Sequence, residues 1–192
     1  MIPFVRDGGG VTARLTADEA AALRNLSGQL VAMLLDRTTQ QVQGDAAAML
    51  YAQAGIGGGE HAPLDPALAR LLPDAYLEDP DAASEHRHLT ERGIVDRKIQ
   101  NARRVAADLD SERSPVVVRL DEAAVQAWLR TLTDLRLTLA ARLEIVEDGD
   151  EGRADDESDL AMLTIYDWLG YLQGSLVDCV SSSLDERDAA DA

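Results

Sequence analysis

Two strand-like runs open the chain, Ile2 to Arg6 and Val11 to Leu15, and Asp7-Gly8-Gly9-Gly10 between them supplies the positive φ of a turn, so a short hairpin is expected. The spacing then changes. Leu23, Leu26, Leu30 and Leu34 recur at helical intervals towards about Gln41, and Thr16 with Glu19 three residues later gives the reciprocal capping pattern of a helix start. Asp45 predicts a second, short helix through Tyr51, and the glycines of 55–59 predict a loop. Asp65-Pro66 marks another brief helix that must end before Pro73, because Asp accepts orphan amide bonds and Pro has its fixed φ at the first helical position.

A longer helix is expected from about Asp81 to Asp110, with Val95, Ile99, Ala102, Ala106 and Leu109 on one face. Gly93 weakens it by roughly 1 kcal/mol relative to Ala, which makes it the place for a kink. Pro115 to Leu120 reads as a third, β-branched strand. Asp121 then caps the clearest amphipathic helix, with Val125, Trp128, Leu132, Leu135, Leu139 and Leu143 as its stripe, and a last helix follows Ile165, Leu169, Leu172, Leu176 and Val180. The predicted class is therefore α+β and mostly α-helical, a helical bundle with a small sheet. Arg14-Leu15 is echoed by Arg119-Leu120-Asp121, and Leu23-Arg24-Asn25-Leu26 by Leu129-Arg130-Thr131-Leu132. Two strand-then-helix units would bring the strand at 115–120 beside the hairpin.

Charge changes this picture more than composition does. The 192 residues hold 35 acidic and 18 basic side chains, a net −17, which disfavours nucleic acid as a general partner because phosphates would be repelled at long range. Between 144 and 159 there are nine acids and one Arg, so a mobile loop is expected there. A single globular domain over 1–183 and a disordered acidic tail over 184–192 complete the expected organisation. Against this background, 86–104 carries six cations and two acids; its local +4 leaves −21 for the remainder. Arg97 and Arg104 lie on the side opposite the apolar stripe, and with Arg87 they are the candidates for contact with a partner.

Chemistry-bearing motifs are sparse. His86 and His88, two apart on a helix, project about 200° from one another, which does not suit a metal, and no metal or cofactor is expected. Hydrolase, zinc-protease and phosphate-loop patterns are missing, so no catalytic residue is nominated. The one cysteine, Cys179, excludes an intrachain disulfide and is the redox candidate, although Asp178 beside it raises a thiol pKa. The segment MIPFVRDGGG has no basic start followed by an apolar run, and no stretch is long and apolar enough for a membrane span. A cytoplasmic protein without membrane contact is expected.

Asp65-Pro66-Ala67-Leu68-Ala69-Arg70-Leu71-Leu72-Pro73-Asp74-Ala75-Tyr76, Glu85-His86-Arg87, Ala127-Trp128-Leu129, Asp134-Leu135-Arg136 and Tyr166-Asp167-Trp168-Leu169, in that order, resemble an actinobacterial family first described as a domain of unknown function, the oxidative-stress transcriptional regulators of the AosR type. The resemblance runs from Phe4 to about Val180. It implies a non-enzymatic regulator that acts through a protein partner of the transcription apparatus. The residues leave two alternatives open: an acidic protein-interaction adaptor without a redox role, and a direct DNA-binding regulator using the basic helix over 86–104. Any thiol response must run through Cys179 alone, as an intermolecular bridge, a sulfenic acid or a mixed disulfide.

Overall fold

The described residues fold in the order β1 (Ile2–Asp7), β2 (Gly10–Leu15), α1 (Ala17–Val42), α2 (Pro66–Leu71), α3 (Pro80–Asp108), β3 (Val116–Leu120), α4 (Glu122–Arg142) and α5 (Glu157–Ala190). This is α+β and mostly helical, as the periodicity predicts. The computed structural model describes residues 2–7, 10–42, 61–111, 113–147 and 150–190, without the side chains of 2, 3, 40–42 and 182–190. Gly8-Gly9, the helix expected at 45–51 and the glycine run at 55–59 lie outside the described residues, as do the side chains of the expected tail.

The three strands form one antiparallel sheet in the order β1-β2-β3. Val11 faces Leu120, Ala13 faces Val118 and Leu15 faces Val116, and all six side chains are buried. The other face carries Thr12, Arg14, Val117 and Arg119, the period-two division that lets a small sheet rest one side on helices. The two segments that echo one another in sequence, around Arg14 and Arg119, are therefore neighbours in space.

Helix starts follow local chemistry. The Thr16 amide donates to Glu19 Oε2 at 2.8 Å while the Glu19 amide donates to Thr16 Oγ1 at 3.2 Å. Asp65 accepts from the amides of Ala67 and Leu68, Asp121 from that of Ala124. The long helix α3 starts one residue earlier than expected, at Pro80, with the Asp79 carboxylate accepting from the Ala82 amide. It runs unbroken through Gly93, where an added Cβ would meet nothing within 4 Å.

Helical stripes meet in one core behind the sheet. Leu23, Leu30 and Leu34 of α1, Val95, Ile99 and Ala102 of α3, Leu132 and Leu135 of α4, and Leu169, Leu172 and Leu176 of α5 are buried together. Late in α3 the innermost residue is Val105, fully buried, while Ala106 is half-buried, a rotation of one position from the expected stripe. Trp128 is buried at the centre with Phe4 edge-on at 5.6 Å, and its Nε1 donates to Asp108 Oδ2 at 2.9 Å. No helix among the described residues is long and apolar enough to cross a membrane.

After Leu143 the chain turns back with Glu144 at φ 58, and the Ile145 amide donates to the Ala140 carbonyl at 2.9 Å. This is the six-to-one bond of a Schellman turn. It folds Ile145 against Leu143 and Ala140, with Met162, Leu163 and Tyr166 of α5 covering them. Gly152, at φ +70, fits because a Cβ there would stand 2.9 Å from the Ile145 side chain.

Candidate cationic cleft and thiol site

Helix α3 crosses the front of the molecule and holds most of the residues that its charge singled out. Arg87 is turned inward and buried, with Nε donating to Asp74 Oδ1 at 3.1 Å and Nη2 bonded to the same oxygen. One turn on, Glu91 is almost fully buried and accepts from Arg37 Nε of α1 at 2.9 Å; Arg37 also donates to the His61 carbonyl. Lys98 Nζ donates to Asp134 Oδ1 of α4 at 2.6 Å. Burial pushes the Asp134 carboxyl upward and Lys98 opposes that only in part, while the other oxygen, Oδ2, is buried with no hydrogen-bond partner among the described residues.

Arg104 is exposed, but it is not idle. Its Nε donates to Asp108 Oδ1 at 3.0 Å, and Nη2 stands 3.8 Å from Asp121 Oδ2. Asp108 thereby links Arg104 to the buried Trp128 indole. Much of the local positive charge of 86–104 is thus absorbed by acids that the sequence places at 74, 108, 121 and 134. His86 packs edge-on against Tyr76 at 5.8 Å. Among the described residues, no group of three or more His, Cys, Asp or Glu side chains converges as a metal set would.

Arg97 stands apart from this network. It is exposed and lines an open cleft of about 430 Å³ between α3 and α4, with Lys98, Asn101, Arg130 and Thr133 on its walls and Ile94 and Leu129 as apolar surface. Neither Arg97 nor the exposed Arg130 makes an ion pair among the described residues. Arg130 was not nominated by the sequence, because its proximity to Arg97 depends on how two helices dock. Its outward position, two residues after the buried Trp128, was the available signal.

Cys179 lies on α5 where the edge strand β1 docks. Its Sγ donates to the Phe4 carbonyl at 2.9 Å, and the Phe4 amide donates to Ser175 Oγ at 2.8 Å, so one turn of α5 holds both polar groups of a single strand residue. A cleft of about 560 Å³ opens beside it, lined by Arg6, Tyr171, Ser175 and Asp178 among others. Burial raises the thiol pKa and Asp178 adds to it, against a smaller opposing effect of Arg6. The thiol form that donates to Phe4 is the one this environment favours, and it is a poor nucleophile towards peroxide.

A family model described as "Domain of unknown function (DUF2017)" matches residues 1–180. This chain belongs to the DUF2017 family. It is 35% identical over 185 residues to "Oxidative stress regulator AosR" of Mycobacterium tuberculosis (strain ATCC 25618 / H37Rv), covering 90% of this chain and 83% of the relative. The protein of the same name from Mycobacterium bovis gives the same figures. "Putative oxidative stress regulator AosR" of Mycobacterium leprae is 32% identical over 170 residues, 83% of this chain and 77% of that protein. No solved structure matches the chain.

In this DUF2017 chain, segments far apart in sequence that carry the family resemblance meet at one end of α4. Asp65 caps α2 and also accepts from Arg142 Nη2 of α4 at 2.6 Å. Burial pushes the Asp65 carboxyl upward, but the bonds from Arg142 and the Leu68 and Ala67 amides outweigh it and hold the pKa below the usual value. Arg136 of α4 reaches Tyr166 and Gln173 of α5. In the acid-rich connection before α5, Arg153 Nε donates to Asp159 Oδ2 at 3.1 Å and Nη1 to Glu144 Oε1 at 3.2 Å. Asp150 Oδ2 accepts from the amides of both Val146 and Glu147.

Proposed function

We propose that this protein is a non-enzymatic, cytoplasmic regulator of the oxidative-stress response that acts by docking a protein partner of the transcription apparatus in the cleft between α3 and α4. The names of its relatives support the stress role. The observation that carries the docking surface is the pair of exposed arginines, Arg97 and Arg130, without ion pairs among the described residues in a chain of net −17. A partner with acidic side chains would meet the two guanidiniums, while apolar side chains would cover Ile94 and Leu129. Arginine beside apolar surface is the chemistry of interface hot spots, where exclusion of water strengthens the charge contact. The acidic remainder of the surface repels phosphate-rich and acidic competitors and orients a mixed-charge partner.

Pull-down from oxidised and reduced lysate, followed by mass spectrometry, tests this. Wild type should enrich a protein of the transcription apparatus, and Arg97→Glu with Arg130→Glu should lose it. Equal recovery by the double variant would refute the cleft. For the thiol, peroxide treatment and non-reducing electrophoresis of wild type and Cys179→Ser should show whether an intermolecular bridge forms; no bridge and no mass shift would place the oxidative response outside this chain.

A further inference from the structure

The other cations held between elements meet carboxylates: Arg37 with Glu91, Arg87 with Asp74 and Lys98 with Asp134. Arg70 and Arg136 do not. They line one cavity of about 210 Å³ at the far end of α4, and neither makes an ion pair among the described residues, although the chain holds 35 acids. Neutral acceptors hold them instead. Arg70 Nη2 donates to the Ile145 carbonyl at 2.5 Å, which the turn after α4 presents. Arg136 Nη1 donates to Gln173 Oε1 at 3.0 Å and Nη2 to the Tyr166 hydroxyl at 3.1 Å, with the guanidinium 4.7 Å from the Tyr166 ring centre.

This cradle is fixed before any ligand enters. Gln173 Nε2 donates to Thr133 Oγ1 at 2.8 Å, which turns the amide oxygen towards Arg136. Gly170 of α5 faces the guanidinium, where an added Cβ would make ordinary van der Waals contact at 3.5 Å. Arg136 Nε is buried and has no hydrogen-bond partner among the described residues, so the cavity leaves one donor of the guanidinium unmet. Two forks with neutral supports and a tyrosine hydroxyl are the chemistry of oxyanion recognition. The cavity is below the usual size of a drug-like site and suits one compact charged group. Glu147, exposed on the cavity wall, is the one carboxylate among the described residues that lines it, and it opposes an anion.

We propose that Arg70 and Arg136 form a binding site for a phosphate-sized oxyanion, either free phosphate or the phosphoryl group of a small metabolite, bound between α2, α4 and α5. It shares Thr133 with the docking cleft at Arg97 but none of that cleft's cations. The test is an NMR titration of the full chain at constant ionic strength with inorganic phosphate, glycerol 3-phosphate and succinate. Saturable shifts centred on the Tyr166 and Gln173 signals are expected, at least tenfold weaker binding in Arg70→Gln, and about threefold tighter binding in Glu147→Gln, where an exposed repulsive charge is removed. The Glu147 variant keeps the test decisive if an arginine variant does not fold. Tighter binding of glycerol 3-phosphate than of phosphate assigns a metabolite as the source, and the reverse assigns the free ion. Non-saturating shifts, affinity unchanged in both Arg70→Gln and Glu147→Gln, or preference for succinate would overturn the proposal.

Discussion

The ridge on α3 and the arginine pair at the far end of α4 treat positive charge in opposite ways. On the ridge, Arg87, Lys98 and Arg104 are neutralised by Asp74, Asp134 and Asp108, so half of its six cations are withheld from an outsider while Arg97 is left exposed. Arg70 of α2 and Arg136 of α4 come from stretches with no conspicuous excess of cations, yet they are braced by a carbonyl, an amide and a phenol. Counting charges along the chain measures where cations are. Their availability is set by which acids the fold brings to them.

The largest test of that contrast falls on the buried ridge pairs. Glu91→Ala should cost about 3 kcal/mol in urea unfolding, because it leaves Arg37 facing a low-dielectric gap. A loss below about 1 kcal/mol would mean that the pair is already solvated. Gly152→Ala should cost about 2 kcal/mol, from left-handed backbone strain and the clash with Ile145 and Leu163, and it should disturb the Ile145 carbonyl that holds Arg70. Arg104→Ala, at an exposed pair, should cost less than about 1 kcal/mol. Arg97→Glu should leave stability within about 0.5 kcal/mol and change only what docks.

Acid titration separates two carboxylates by sign. Asp134 has its folded pKa raised by burial, so its ionised form is penalised at neutral pH and the protein gains stability as pH falls from that raised value towards the ordinary 3.8. Asp159 is held low by the bond from Arg153, so its contribution is present above the ordinary value and is lost as pH falls through its depressed one. Unfolding midpoints across this range should therefore lose the gain in Asp134→Asn and the later loss in Asp159→Asn. Curves that overlay wild type would remove both assignments.

Much of the fold was legible because its signals are short-range. Thr16 with Glu19, Asp65-Pro66 and Asp121 cap helices within three residues of themselves, and the stripe from Val125 to Leu143 is buried as its period requires, Leu139 only partly. Val105 in place of Ala106 shows the limit: a long helix can rotate slightly to fit a neighbour. The sites were less legible. Arg97 faces outward as expected, but its companion Arg130 comes from another helix, and Arg87 is consumed by an acid thirteen residues back. Arg70, Arg136 and Gln173 come from α2, α4 and α5 and line one cavity, and no local pattern encodes how those three helices pack.

The docking claim has a direct measurement. A photocrosslinking residue placed at Asn101, on the wall between Arg97 and Arg130, should capture one protein of the transcription apparatus in oxidant-treated cells, and Arg97→Glu with Arg130→Glu in the same chain should abolish the adduct. An absence of any adduct, or one that persists unchanged when both arginines are reversed, would contradict the account.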